Sequence, residues 1–150
     1  MAKKKDLYTR LVYARSSPAF GSVAYFLLKI LGVEIPKSVQ IGEDFELAHG
    51  GFGVVIHPKT VIGDRVKIYP GVTLGRSDVH HSFEKSGFKG IRIASDVVLA
   101  SGAKILCGEG ILEVKQGTIV GANAVLTSST KEYEIWAGVP AKMIGHREKE

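Results

Sequence analysis

The sequence is short of cysteine, long apolar runs and dense basic stripes, and each shortage removes a class of protein. One cysteine, Cys107, stands among 150 residues, so no disulfide framework forms within the chain. A reducing, cytoplasmic setting is the expectation. The longest mostly apolar stretch, residues 19–33, is interrupted by Lys29 and falls short of the ~20 residues that span a bilayer. It starts too far into the chain for a secretory signal, and no small-residue cleavage site follows it. The net charge is +5 and the pI about 9.3. Yet the only dense basic cluster is Lys3-Lys4-Lys5; nucleic acid would favour a basic stripe with interleaved aromatics. The charge points instead to a small polyanion such as a phosphorylated cofactor. His80 and His81 lack a carboxylate or thiolate at ligand spacing, so no metal is expected. With 45% hydrophobic and 23% charged residues, the chain has the composition of one folded domain and not of a disordered one.

What the sequence has in excess is glycine, 18 of 150 residues, without collagen periodicity. That many glycines predict many tight turns. Ser16-Ser17-Pro18 reads as a helix start and Gly32 as a helix end. Two short helices are therefore predicted, over residues 5–14 and 18–31, forming an N-terminal cap over residues 1–34. They pack on the rest of the protein or on a neighbouring subunit; peripheral membrane contact through Lys3–Lys5, Phe20, Tyr25 and Phe26 is the minor alternative.

From Ile35 onward helical periodicity ends and aliphatic residues recur every six positions. Ile35, Ile41 and Leu47 form one run, and Ile56, Ile62, Ile68 and Leu74 a second. Ile93, Leu99 and Ile105 form a third, and Val114, Val120 and Leu126 a last. Four residues beyond most of them stands a small or β-branched side chain: Thr60, Val66, Val72, Val97, Ala103, Ala124. Phe45 is the bulky exception. The residue just after is often small, as at Gly42, Gly63, Gly75, Ala94, Ala100 and Gly121. Neither a strand period of two nor a helical period of 3.6 gives this spacing. A coil with flat faces does. Each face turns one aliphatic residue inward to stack on its counterpart in the next coil, and small residues let the backbone turn. Three hexads close one triangular coil, so residues 35–130 predict roughly five coils. Residues 131–150 form a C-terminal cap and tail.

The pattern resembles the hexapeptide-repeat family. That resemblance implies an all-β solenoid, a left-handed parallel β-helix with short N-terminal helices, typically assembled as a homotrimer. The repeat breaks in three places, and residues looped out at a corner are free to meet a ligand. Three extra residues follow Leu47, a long loop spans residues 76–92, and three extra residues follow Ile105. His49, His57, His80 and His81 lie in or beside the first two breaks.

The segment His49-Gly50-Gly51-Phe52-Gly53-Val54-Val55-Ile56 is similar to the serine acetyltransferase-like branch of the hexapeptide acyltransferases. Ala137-Gly138-Val139-Pro140-Ala141-Lys142 is similar to that family's C-terminal signature. Ser101-Gly102-Ala103-Lys104-Ile105 and Gly121-Ala122-Asn123-Ala124-Val125 match its coil motifs. The likeness covers residues 35–145. It implies acetyl-CoA as cosubstrate, bound in a groove between subunits, and His49 as the base that takes the proton of an attacking hydroxyl. A neutral imidazole suits that task near pH 7. It also implies that Gly75 lets the thioester approach, that Ser101, Ala122 and Thr127 meet the pantetheine arm, and that Lys142 meets coenzyme A phosphates, with Arg147 assisting. Trp136 reads as packing for the C-terminal cap, and Cys107 as no nucleophile.

The segment Val79-His80-His81-Ser82-Phe83-Glu84-Lys85 is similar to the loop from which sugar O-acetyltransferases project their histidine. His80 is thus a second candidate for the base, a partner of His49 or an acceptor contact. Serine acetyltransferases carry an aspartate where this chain has Ala48, and an Arg-His-Pro where it has Lys89-Gly90-Ile91. These departures make a sugar hydroxyl the expected acceptor. Serine is the alternative, and a non-catalytic trimeric scaffold is the competing class.

Overall fold

The computed structural model describes residues 6–149; the Lys3–Lys5 cluster lies outside them. Helix α1 (Leu7–Ala14) starts at Asp6, whose carboxylate accepts the Thr9 N–H at 2.7 Å and so satisfies one orphan donor of the first turn. Thr9 and Val12 face inward. The Tyr13 hydroxyl donates to the Gly42 carbonyl at 2.6 Å and accepts the Phe45 N–H at 3.0 Å, which fastens α1 to the body. Arg15 is buried and donates to the Val12 and Val39 carbonyls. Helix α2 (Gly21–Ile30) begins three residues later than Pro18, because residues 18–20 form a turn. Gly21 opens it for a steric reason: a Cβ there would lie 2.4 Å from the Arg15 carbonyl oxygen.

Beyond α2 the chain visits three sheets in strict rotation. The first round is β1 (Gln40–Ile41), β2 (Glu46–Leu47) and β3 (Val55–Ile56); the second is β4 (Thr60–Ile62), β5 (Lys67–Ile68) and β6 (Thr73–Arg76). The third is β7 (Gly87–Ile93), β8 (Val98–Leu99) and β9 (Lys104–Cys107); the fourth is β10 (Glu109–Val114), β11 (Ile119–Val120) and β12 (Val125–Leu126). All neighbouring pairs among them are parallel. Their register explains the hexads. Ile41, Ile62, Ile93 and Val114 stack on the first face. Leu47, Ile68, Leu99 and Val120 stack on the second, and Ile56, Leu74, Ile105 and Leu126 on the third. Apart from the partly buried Ile41, all are buried, and together they form one continuous core.

Two sheets hold four strands each, so the molecule has four full rounds, not the five that hexad counting suggests. The remainder is a single bridge from Glu34 to Val55 at one end and β13 (Glu134–Ala137) at the other. There the chain reverses, and β14 (Lys142–His146) pairs antiparallel to β13. Buried Glu134 holds that turn by accepting the Lys131 N–H and the Trp136 indole N–H, at 2.7 and 2.9 Å. Trp136 registers on Val120 and packs against the core, as its cap role requires.

Two of the three corners use left-handed backbone. Between the first and second sheets stand Asp44, Arg65, Asp96 and Gly117, all with positive φ. Between the second and third stand Gly53, Gly71, Gly102 and Asn123. A Cβ on Gly71 would come within 3.5 Å of the Gly102 backbone, so this second corner combines the turn with close coil-to-coil approach.

Candidate active site

His49 lies on the second corner, in the topmost round. The short 3₁₀ segment Ala48–Gly51 lifts the chain out of the coil between β2 and β3. His49 itself has φ 52° and ψ 31°, followed by Gly50 and Gly51 at positive φ. Such a run of left-handed residues is costly for ordinary side chains. It is held because Ala48, Gly50 and Gly51 are buried beneath it, Gly51 against Leu47 and Gly50 against the Tyr8 ring. A buried platform thereby presents an exposed imidazole. The Tyr69 ring, one coil below, stands 6.0 Å away, tilted by 54°.

The corner continues downward in register. The Gly71 N–H donates to the Phe52 carbonyl, Gly102 to Pro70 and Asn123 to Ser101, at 2.8–2.9 Å. Ser101 and Ala122 therefore fall on the same edge as His49, in the third and fourth rounds, and both are exposed. The tail passes under this edge: the Val125 N–H donates to the Gly138 carbonyl and the Ala141 N–H to the Val125 carbonyl, at 3.0 and 2.8 Å. Lys142, exposed, follows at once. From His49 to the tail is four coil steps, about 19 Å at ~4.8 Å per strand spacing. Below Tyr69 and Pro70 of the second round the edge carries the small residues Ser101 and Ala122 and ends in a cation, an arrangement open to an extended arm with a terminal phosphate.

Gly75 and Thr127 lie elsewhere. Gly75 pairs with Leu106 near the far end of the third sheet, and Thr127 follows Leu126 in the same column. Nothing among the described residues demands glycine at 75, since a Cβ there would meet only ordinary contacts, the nearest at 3.8 Å. His80 lies beyond them on the third corner. The open part of the loop is residues 77–86, because β7 already starts at Gly87. A nearly buried ion pair anchors it. Arg76 Nε donates to the Asp78 carboxylate at 2.8 Å, and Arg76 Nη2 donates to the Asp78 and His81 carbonyls. The Ser86 hydroxyl completes the cradle at 2.6 Å from Asp78. Ser86 and Arg76 together hold the Asp78 carboxyl below its ordinary range. His80 and His81 are exposed, with ring centres 4.1 Å apart. The chain thus gathers His49, Ser101, Ala122 and Lys142 on one edge and leaves His80, Gly75 and Thr127 toward the next. Among the described residues no group of three or more His, Cys, Asp or Glu side chains is placed to hold a metal. Burial raises the Cys107 thiol pKa, which makes it a poor nucleophile.

Sequence reasoning assigned no role to Tyr69, and marked His57 only as a histidine beside the first break. Tyr69 and His57 both stand just after a hexad aliphatic; in the column of Tyr69 the other rounds carry Ala48, Ala100 and Gly121, whereas in that of His57 they carry Gly75, Leu106 and Thr127. That size exception was the signal for Tyr69 alone. His57 Nδ1 accepts the Lys59 N–H at 3.0 Å, and its ring meets Phe88 edge-on at 4.7 Å. Desolvation first, then Lys59 and Arg76, lower its pKa. Its Nδ1 is thus already engaged by the Lys59 N–H.

No protein-family model matches the chain. It is 34% identical over 113 residues to a serine acetyltransferase of Staphylococcus aureus (strain Mu50 / ATCC 700699), covering 75% of this chain and 49% of that protein. It is 33% identical over 128 residues to a serine acetyltransferase of Bacillus pumilus (strain SAFR-032), covering 80% and 55%. Among solved structures, it resembles a serine acetyltransferase in complex with coenzyme A from Brucella abortus strain S19, with TM-score 0.71 and 30% identity over 87% of this chain and 50% of that one. It also resembles a soybean serine acetyltransferase complexed with serine, with TM-score 0.70 and 26% identity over 91% and 54%. The chain spans about half the length of the curated relatives it matches.

Proposed function

Starting from a member of the hexapeptide-repeat acyltransferase family related to the serine acetyltransferases, we propose that this chain is an acetyl-CoA-dependent O-acetyltransferase with His49 as its general base. The observation that carries the reading is the single edge on which exposed His49 stands above Ser101 and Ala122 and ends at Lys142. Coenzyme A fits along it with the thioester toward His49 and the phosphates toward Lys142. Ser101 and Ala122 admit the pantetheine arm because neither side chain is bulky. The acceptor hydroxyl attacks the thioester carbonyl as the imidazole takes its proton. The tetrahedral oxyanion collapses, the C–S bond breaks, and the imidazolium returns the proton to the leaving thiolate.

Catalysis of this kind is completed between copies. In a homotrimer of left-handed coils packed side by side, the corner bearing His49 meets the third-corner edge of a neighbour. That edge carries Gly75, Thr127 and the anchored loop with His80, which then serves as an acceptor contact. The relatives are named for serine and one is complexed with it. Serine, the alternative, is therefore better supported as acceptor than the sugar hydroxyl expected from Ala48 and Lys89-Gly90-Ile91. Thiol release from acetyl-CoA in the presence of L-serine, simple sugars and nucleotide sugars tests the reading. Release that depends on serine is expected. Release with a sugar and none with serine overturns the acceptor, and no release with any hydroxyl overturns the function.

A further inference from the structure

We propose that the outer face of α2 docks this protein on an anionic lipid surface. Helix α2 turns Gly21, Ala24 and Leu28 inward. Its opposite side carries Val23, Phe26, Leu27 and Ile30, with Phe20 just ahead, and all five are exposed: Phe20 by 69%, Phe26 by 63% and Ile30 by 65%. The apolar surface continues past the helix end. The Phe52 ring, 72% exposed, lies so close to Gly32 that a Cβ there would approach it to 2.8 Å. A helix apolar on both faces needs a cover on each, and the protein supplies only one. Ten residues rise about 15 Å, half the ~30 Å of a hydrocarbon core. The helix therefore lies along an interface and does not cross it.

Charge selects the occupant. Residues 1–37 hold seven Lys and Arg against two acids, whereas residues 38–150 hold thirteen of each. The whole +5 of the chain thus belongs to the segment that carries the apolar face. Within it, the Lys37 ammonium sits 2.7 Å from the Ser22 hydroxyl on the first turn of α2, and Lys29 on its last is half exposed and pairs with Glu34 at 3.6 Å. Pressing two copies together through this face would oppose two cationic segments. Anionic headgroups neutralise them while the acyl boundary takes up the phenylalanines. Because Phe52 belongs to the excursion that lifts His49, docking also holds the candidate active site at the membrane surface.

Flotation of the intact chain with vesicles tests this independently of any acetyl transfer. Vesicles containing phosphatidylglycerol are expected to carry the protein, and pure phosphatidylcholine vesicles to leave it behind. Binding should fall as salt rises from 0.1 M to 1 M and the screening length shrinks from ~10 to ~3 Å. The double change Phe26→Ser with Ile30→Ser, both exposed, should cut partitioning at least ~10-fold with an unchanged unfolding midpoint. Equal flotation of the variant, or binding indifferent to phosphatidylglycerol, overturns the proposal. So does absence of flotation. If in that case the variant also has a smaller mass by light scattering, the face belongs to a second copy of the chain.

Discussion

At the scale of single residues, backbone conformation decides what His49 can do. Gly50 has φ 77°, and a Cβ there would lie 2.9 Å from the Tyr8 ring. Gly50→Ala is therefore expected to cost about 1–3 kcal/mol of stability, read by chemical denaturation, and to disturb the imidazole it supports. His57 offers a second test, through pH. Burial and the nearby cations set its folded pKa below the ordinary 6.5. The unfolded chain then binds the proton more readily, so the contribution is complete above pH 6.5 and is lost as pH falls through the depressed folded value. His57→Gln should flatten the pH dependence of the unfolding midpoint just below 6.5; an unaltered profile would show that the ring is not held as described. Neither feature was fully legible beforehand. Glycines announce turns, but Asp44, Arg65 and Asp96 adopt the same left-handed backbone and no spacing marks them. Tyr69 was visible only as an oversized occupant of a column otherwise held by Ala48, Ala100 and Gly121, and His57 only as a histidine beside the first break.

At the scale of elements, the hexads reported the fold because parallel register puts one aliphatic residue of each round directly over the last. Leu99 lies between Ile68 and Val120 with no exposure. Leu99→Ala is expected to lose about 2–5 kcal/mol, measured by denaturant unfolding. The elements that sequence placed less well obey other rules. α2 starts at Gly21 and not Pro18, since the Arg15 carbonyl leaves no space for a side chain at its first position. The final hairpin leaves the hexad rhythm altogether, being antiparallel and held by Glu134. The long loop looks unstructured in sequence, yet Arg76, Asp78 and Ser86 fix it. Asp78 has a folded pKa below its ordinary 3.8, so the anchor is intact above that pH and releases only as pH falls through the folded value. Asp78→Asn removes it at any pH. We expect faster amide hydrogen exchange over residues 77–86 in that variant, with the coil unaffected; equal protection would mean that the cradle does not hold the loop.

At the scale of the whole molecule, four rounds set the length of the edge and the tail sets its charged end. Lys142 stands exposed at that end, where the proposed binding mode puts the phosphates of coenzyme A. Lys142→Ala should raise the KM for acetyl-CoA several-fold with little change in kcat, because a contact made equally in ground and transition states affects binding alone. A loss confined to kcat would contradict the phosphate role. Whether copies pack along this edge was the least legible part of the sequence. Small residues along an edge are required by coil packing whether or not a neighbour covers them, so the same pattern serves two purposes. The central claim is that His49, and not His80, takes the proton. Its most direct test compares kcat for thiol release from acetyl-CoA by the intact protein, His49→Ala and His80→Ala. A fall of ~10²–10⁴ for His49→Ala, with a much smaller one for His80→Ala, is the predicted result; full turnover by His49→Ala with loss in His80→Ala would contradict it.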